Sequence, residues 1–297
     1  MTNLRAHLML AIVAIIYGAN YSIAKIIMDP GLLGANGFIL LRILAALFFF
    51  LLFFGKPIKI EKKDYGLFLL CAVTGVLANQ LLFFNGLERT SPIHAALIMI
   101  CTPLIVLAII GFQGKKLSLL QWLGCLFGFG GAASIITRLG VQNSMVVDVL
   151  GDLMVFGNAL SFGFFLTQAP KLISKYGAFE MMKYLFLIAL AFCIPFGWND
   201  LYQAPWSEFK LEHWASLIFV LIFTSFLAYA LNAKALELVE PSLVSQYIYL
   251  QPLIAVLVAY MTGKDQLTLQ TILAGLVIML GVWLSGKTQI ELKKRTD

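Results

Sequence analysis

The chain has 297 residues, of which 61% are hydrophobic and only 12% are charged, and its mean hydropathy is +0.91. Soluble domains carry about 25% charged residues, so this composition excludes a water-soluble globular protein and predicts an all-α membrane protein. Spans of about 20 residues each use up most of the length, which leaves no room for a soluble catalytic domain. The net charge of +6 does not indicate a nucleic-acid partner, because the Lys and Arg residues lie in short loops between apolar segments.

Ten apolar segments are long enough to cross a bilayer, and we predict ten transmembrane helices. Their ranges are 6–27, 33–54, 65–87, 92–111, 117–137, 149–170, 178–197, 212–235, 241–261 and 267–286. The first segment has no small-residue cleavage site after it, so we expect a retained helix rather than a signal peptide. The lipid bilayer is therefore a predicted partner of the chain.

Positive charge is distributed unequally between the two sides of the membrane. In alternate loops Lys and Arg number 14 on one side and 5 on the other. The richer side is normally cytoplasmic, and with ten spans this places both termini in the cytoplasm. A missed helix would scramble the alternation, so the charge bias also favours the count of ten.

Two stretches of the chain share one framework. A shift of 149 positions superposes six residues in twenty, where unrelated apolar helices would match at about one or two. The matched pairs are Leu87/Leu236, Glu88/Glu237, Pro92/Pro241, Pro103/Pro252, Leu104/Leu253 and Ile105/Ile254. The chain is therefore predicted to be a duplication.

Because each half has five spans, an odd number, the second half is expected to enter the membrane in the opposite orientation to the first. We expect a first repeat at 1–137, a linker at 138–148, a second repeat at 149–286 and a basic cytoplasmic tail at 287–297. Inverted five-helix repeats are the architecture of many secondary transporters, which hold substrate near the midplane between the repeats.

Polar side chains recur at helical spacing on one face of several spans. Polar groups inside a bilayer face the bundle interior or water, so several such faces together favour a wet central pocket over isolated interhelical hydrogen bonds. The predicted substrate-binding residues are Tyr17, Asn20, Arg42, Asn79, Gln80, Asn158, Tyr229, Asn232, Gln246 and Tyr249.

Two prolines are expected to kink their helices near the bilayer centre. Pro103 and Pro252 each lie eleven residues after the proline that starts the span, about 16 Å deep. Each removes a backbone hydrogen bond and frees the carbonyl four residues back, at Met99 and Ile248. A free carbonyl at that depth is tolerated against protein or a watery cavity. The ninth span has a polar stripe at helical spacing, formed by Ser242, Ser245, Gln246 and Tyr249. The fourth span lacks this stripe, so we expect substrate contacts to favour the second half.

The charged residues set further expectations. Arg42 lies deep in the second span, where it either anchors a substrate carboxylate or ties helices together through backbone carbonyls. No Asp or Glu lies in the middle of a predicted span, which disfavours carboxylate-driven proton antiport and leaves facilitated diffusion, exchange or coupling through His94. The four cysteines share no metal-ligand spacing. No catalytic residue, metal or cofactor is predicted.

Four features of the sequence carry a family resemblance: Gly18-Ala19-Asn20-Tyr21, Leu41-Arg42, the two spans with two prolines each, and the turn from Gly263 to Thr268. In these features the chain resembles the drug/metabolite transporter superfamily, in particular its EamA-like branch. Members often have an acidic residue before the Leu-Thr of that turn. Asp265 takes this place in the second half, but Lys115 replaces it in the first. The resemblance implies an inner-membrane carrier that exports amino acids or other small metabolites.

We therefore predict an alternating-access transporter with a small-molecule substrate, either an amino acid or an amphipathic metabolite, rather than an enzyme. A channel or facilitator is the alternative. A membrane-embedded enzyme would need clustered acids or histidines, and the three histidines are far apart in sequence. Glycine seams in the fifth and tenth spans indicate tight internal packing, which favours a monomer over a homodimer.

Overall fold

The computed structural model describes residues 2–28, 31–54, 57–114, 117–137, 148–262, 269, 272–273 and 275–280. Every regular element in these ranges is helical. The α-helices are Thr2–Ile27, Ala35–Phe53, Tyr65–Ala72, Ala78–Arg89, Pro92–Met99, Cys101–Phe112, Leu119–Thr137, Val149–Tyr176, Ala178–Gln203, Leu211–Phe219, Ala228–Leu238, Pro241–Gln246 and Gln251–Thr262.

Among the described residues, eight helical stretches are long and apolar enough to span a bilayer, and a ninth is shorter. The eight are Leu4–Ile27, Ala35–Phe53, Lys62–Arg89, Pro92–Phe112, Val149–Tyr176, Ala178–Gln203, Leu211–Leu238 and Pro241–Val258, and the shorter one is Leu119–Gly131. They follow the order of the first nine predicted spans. The tenth predicted span lies largely outside the described residues, as do Lys115, Asp265, the linker up to residue 147 and the basic tail.

Four of the spans are not continuous α-helices. The third contains a π-helical segment at Val73–Leu77, and the eighth contains one at Val220–Leu227. The fourth is interrupted by a turn at Ile100, and the ninth by a 3-10 segment at Tyr247–Leu250. In the fourth and ninth spans, Pro103 and Pro252 lie in the first turn of the helix that follows the interruption. The N–H groups of a first turn have no partner within their own helix, so a proline there removes no hydrogen bond from that helix.

Glycines allow two pairs of spans to approach closely. A methyl group built on Gly18 of the first span would lie 2.6 Å from Cβ of Ile254 in the ninth. One on Gly163 of the sixth span would lie 2.7 Å from Cγ2 of Ile105 in the fourth. Without a side chain the backbones can meet at these points, as small residues permit in membrane helices.

The third and sixth spans are tied together at both ends. At one end Lys175 pairs with Glu61 at 2.7 Å and with Asp64 at 2.6 Å. The Lys175 ammonium, and then that of Lys63, holds the pKa of the Glu61 carboxyl below its usual range. At the other end Arg89 pairs with Asp148 at 3.3 Å.

Asp152 forms a buried cluster beside the exposed Arg89–Asp148 pair. Its carboxylate is fully buried, accepts a hydrogen bond from the Thr90 hydroxyl, and lies 3.5 Å from Nδ1 of His94. Asp148 instead caps the sixth span through the backbone N–H of Leu150. The two carboxylates are four residues apart on one helix end and differ chiefly in burial.

We expect Asp152→Ser to lower the free energy of unfolding by about 2 kcal/mol, because it leaves the buried Thr90 hydroxyl without its acceptor. The matched variant Asp148→Ser keeps a capping side chain and loses only an exposed ion pair, so its cost should be below about 0.5 kcal/mol. Thermal unfolding of both variants in detergent measures the difference. Equal losses would contradict a structural role for the buried cluster.

Candidate functional site

A cavity lies at the centre of the helix bundle. Its volume is about 60 Å³, counted as space open to the centre of a water-sized sphere. A single water needs only about 10–15 Å³ by this measure, so several waters or part of a small solute fit. The central cavity is lined by Tyr17, Asn20, Tyr21, Arg42, Asn79, Gln80, Phe83, Phe84, Met99, Asn158, Phe162, Thr224, Tyr229, Ile248 and Gln251.

Seven helical spans supply these residues, which is why they are distant in sequence. The first span brings Tyr17, Asn20 and Tyr21, and the second brings Arg42. The other residues come from the third, fourth, sixth, eighth and ninth spans. Seven of the nine described spans reach the cavity, so it is the point on which the bundle converges.

Hydrogen bonds across the central cavity join the two halves of the chain. Tyr21 donates to Oε1 of Gln251 at 3.1 Å, and the Tyr229 hydroxyl donates to Oδ1 of Asn79 at 3.2 Å. Nδ2 of Asn158 donates to the backbone carbonyl of Asn79 at 2.6 Å. These bonds hold the polar lining together through side chains rather than through continuous backbone structure.

Thr224 and Asn20 make a further contact of this kind, at 3.3 Å between Oγ1 and Oδ1. The eighth span carries Thr224 in its π-helical segment. A π-bulge changes the helical phase by about one residue, and such bulges occur often at functional sites. The irregular segment of the eighth span therefore lies directly against the cavity.

Arg42 is the charged residue of this lining. Its side chain is only 2% exposed. Nε donates to Oε1 of Gln80 at 2.9 Å, and the guanidinium carbon lies 4.3 Å from the ring centre of Phe84 and 5.6 Å from that of Phe38. The guanidinium is thus held by one neutral amide and two aromatic rings. Its Nη1 atom has no hydrogen-bond partner.

The structure brings together seven of the ten predicted site residues. These are Tyr17, Asn20, Arg42, Asn79, Gln80, Asn158 and Tyr229. Asn232 lines a smaller neighbouring cavity, which shares Tyr17 with the central one. Gln246 and Tyr249 are half-buried in the ninth span and are not among the lining residues of either cavity.

The ninth span reaches the central cavity through residues that the polar stripe did not include. They are Ile248 and Gln251, which lie at and just after its 3-10 segment. That segment changes the helical phase, so a stripe extrapolated at regular α spacing misses Gln251. The polar lining also draws more residues from the first half than from the second, contrary to the expected preference for the second half.

The helix interruptions lie beside the central cavity. Met99 precedes the turn at Ile100, and Ile248 lies inside the 3-10 segment; both line the cavity. They are the residues whose carbonyls Pro103 and Pro252 leave without an α-helical donor. The same physical cause thus acts in two spans that line one cavity.

Apolar spans that converge on a small polar cavity are a feature of many membrane transporters. The model of the EamA-like transporter family matches residues 4–137 and 149–286. Because these ranges cover most of the chain, the protein belongs to the EamA-like transporter family and is a multi-pass integral membrane transporter.

Curated relatives agree with this assignment over nearly their whole lengths. The chain is 25% identical to an uncharacterized transporter of Archaeoglobus fulgidus over 291 residues, which are 97% of this chain and 99% of that one. It is 24% identical to the uncharacterized transporter YyaM of Bacillus subtilis over 294 residues, 98% and 96% of the two chains.

A solved crystal structure shares the fold. It superposes with a TM-score of 0.64 over 93% of this chain and 96% of its own, at 14% sequence identity. At that identity the similarity describes the arrangement of helices and not the substrate.

Proposed function

We propose that the protein is an alternating-access carrier that exports small metabolites, either amino acids or other amphipathic solutes, through the central cavity. One observation carries the proposal: polar side chains from both halves of the chain converge on a buried cavity and hydrogen-bond to each other across it. Such bonds can be exchanged for bonds to a solute at small net cost, because each is worth only about 0.6 kcal/mol in a membrane protein.

The proposed architecture is a pair of inverted five-helix repeats, 1–137 and 149–286. Paired packing supports it: Gly18 contacts Ile254, and Gly163 contacts Ile105. Ile105 and Ile254 are equivalent under the shift of 149 positions. The first helix of each half therefore meets the fourth helix of the other half at the same residue of the framework.

Paired irregularities support the same architecture. The π-helical segment Val73–Leu77 moves onto residues 222–226 under the shift of 149, inside the segment Val220–Leu227. The turn at Ile100 moves onto Tyr249, inside the segment Tyr247–Leu250. Helix defects are costly in lipid unless neighbours satisfy the backbone, and their recurrence at equivalent depths fits two copies of one design.

In the proposed cycle the two repeats rock about the central cavity. The hydrogen bonds between Tyr21 and Gln251 and between Tyr229 and Asn79 join surfaces that would move relative to each other. A solute that replaces these bonds from one side would allow the repeats to reorient and open on the other side, as in inverted-repeat carriers. We place the protein in the cytoplasmic membrane with both termini in the cytoplasm, because of its loop charges. We propose a monomer, because we interpret the glycine seams of the fifth and tenth predicted spans as internal packing.

Counterflow in proteoliposomes tests the proposal. Vesicles holding the purified protein would be loaded with one member of a panel of amino acids, organic acids and amines, and uptake of the labelled form measured at rising concentration. A carrier shows saturable uptake that internal solute accelerates. Flux that does not saturate and ignores internal solute would instead support a channel or facilitator, and chemical conversion of a solute would support a membrane-embedded enzyme.

A further inference from the structure

The central cavity carries an excess of positive charge. Arg42 keeps its proton under all physiological conditions, and none of the described residues that line the cavity is acidic. The rings of Phe38 and Phe84 provide cation–π contacts, each worth about 0.5–2 kcal/mol. Removing a guanidinium from water costs several kcal/mol, so these contacts offset only part of the penalty.

Three buried polar atoms on residues of the cavity lining have no hydrogen-bond partner among the described residues. They are Nη1 of Arg42, Nε2 of Gln80 and Oδ1 of Asn158, on residues that are each at most 2% exposed. The two amides have defined orientations, because Oε1 of Gln80 accepts from Arg42 and Nδ2 of Asn158 donates to Asn79. Nε2 of Gln80 approaches the Tyr229 hydroxyl without a hydrogen bond of normal geometry.

These atoms define the chemistry of a complementary ligand. Two are N–H donors next to a positive charge, which suit a carboxylate with a bidentate or forked contact. The third is an acceptor, which suits a neutral O–H or N–H group on the same solute. Leaving such atoms unpaired costs about 1–3 kcal/mol each, and a ligand that satisfies them recovers that free energy on binding.

We propose that the substrate is a monoanionic carboxylate with a hydroxyl close to the carboxyl group, such as a 2-hydroxy acid, rather than a zwitterionic amino acid. The inference rests on the proposed function, that transport passes through the central cavity. Arg42 and Gln80 bind the carboxylate, Asn158 accepts from the hydroxyl, and Phe83, Phe84 and Phe162 contact the apolar part.

Net charge separates the two ligand classes. A monoanion brings the charge of the cavity from +1 to zero. A zwitterion leaves it at +1 and adds a buried ammonium for which the described lining offers no carboxylate. An unpaired ammonium in a low-dielectric site costs several kcal/mol, which is why the zwitterion is disfavoured although its carboxylate could reach Arg42.

Matched solutes in the wild-type protein test the inference. One series is 3-phenyllactate, phenylalanine and phenethylamine, and a second is 2-hydroxyisocaproate, leucine and isopentylamine. Each series keeps one apolar side chain and changes the polar head from monoanion to zwitterion to cation, the amine being the amino acid without its carboxyl group. We expect at least tenfold faster saturable counterflow with the hydroxy acid than with the amino acid in one series, and none with the amine.

Variants of Arg42 give a second readout. Arg42→Gln should lower hydroxy-acid counterflow at least about 30-fold, which corresponds to 2 kcal/mol, the low end for removing one partner of a buried charge pair. Arg42→Lys keeps the positive charge but loses the two parallel N–H donors of the guanidinium, so it should retain partial activity. Partial activity also shows that a substitution at this position does not prevent folding. Lys183→Gln removes a buried cation that donates to the carbonyl of Phe54, outside the cavity lining, and should leave transport unchanged.

The outcomes separate this inference from the proposed function. Faster transport of the amino acid or the amine, or hydroxy-acid transport that survives Arg42→Gln in folded protein, would overturn the inference and leave the carrier in place. Absence of counterflow with all six solutes, together with counterflow of a solute that is not a hydroxy acid, would also overturn it. Absence of counterflow with these six solutes and with every member of the wider panel would overturn the proposed function itself.

Discussion

Gly18→Leu and Gly163→Leu are each expected to cost about 3 kcal/mol or more of stability, at the upper end of overpacking penalties. A side chain at Gly18 would meet both Ile254 and the backbone carbonyl of Gln251, and one at Gly163 would meet Ile105. Backbone cannot move aside as a flexible side chain can, so the first and ninth spans would be forced apart. The yield of monodisperse protein in detergent and its melting temperature measure the loss.

Gly130→Leu is the matched control for both variants. Gly130 is exposed in the fifth span, and no atom of the described residues lies within 4 Å of a methyl group built there. The same substitution should therefore be tolerated, with stability unchanged or slightly improved because leucine favours the helix over glycine. If Gly163→Leu were tolerated as well as Gly130→Leu while Gly18→Leu was not, the paired packing of the two repeats would be wrong.

Pro252→Ala is expected to lower transport at least tenfold while it makes the folded protein slightly more stable. Alanine restores the backbone N–H that can donate to the carbonyl of Ile248, so the 3-10 segment can become regular α-helix. The regained hydrogen bond is worth about 1 kcal/mol. A continuous helix changes the phase of Ile248 and Gln251 and removes them from the cavity lining. Counterflow and thermal unfolding measured on the same preparation show the two effects.

Pro241→Ala distinguishes loss of the helix interruption from loss of any proline. Pro241 is the first residue of its helix, where the N–H has no intrahelical partner in any case. Its replacement should change transport less than twofold. Full transport by Pro252→Ala, together with the higher stability that marks a regularised helix, would contradict a functional role for the interruption.

Much of the fold is predictable from the sequence because lipid imposes simple rules. The length of each apolar segment follows from bilayer thickness, and nine predicted spans have a helical counterpart in the described residues. Asn79 and Gln80 of the third span are predictable as lining residues, because an amide side chain in an apolar span faces the bundle interior rather than lipid.

The rest of the site was missed where local geometry departs from the α-helix. Tyr21 and Gln251 are not among the residues that the sequence predicts for the site, yet the two are hydrogen-bonded to each other and line the cavity. The π-helical segments of the third and eighth spans contain no proline, so the sequence gives no local signal that predicts them. Their positions follow from tertiary packing, such as Gly75 against the ring of Phe165, which one sequence does not reveal.

Gln246 and Tyr249 are predicted for the site from a helical spacing that the structure does not keep. Both belong to a polar stripe at regular spacing, but the stripe is cut by the 3-10 segment that begins at Tyr247. Pro252 predicts an interruption of the helix, and an interrupted helix no longer places residues at regular spacing on one face. Their contact with substrate remains a prediction, and the lining residues of the central cavity are the better targets for mutation.

Accessibility of a cysteine placed in the central cavity tests the main claim most directly. Met99 lines the cavity, and the four native cysteines are buried, so the wild-type protein serves as the unreactive control. A charged, membrane-impermeant thiol reagent should modify Met99→Cys from either side of the membrane and stop counterflow. Complete modification with counterflow unchanged would show that solute does not pass through this cavity.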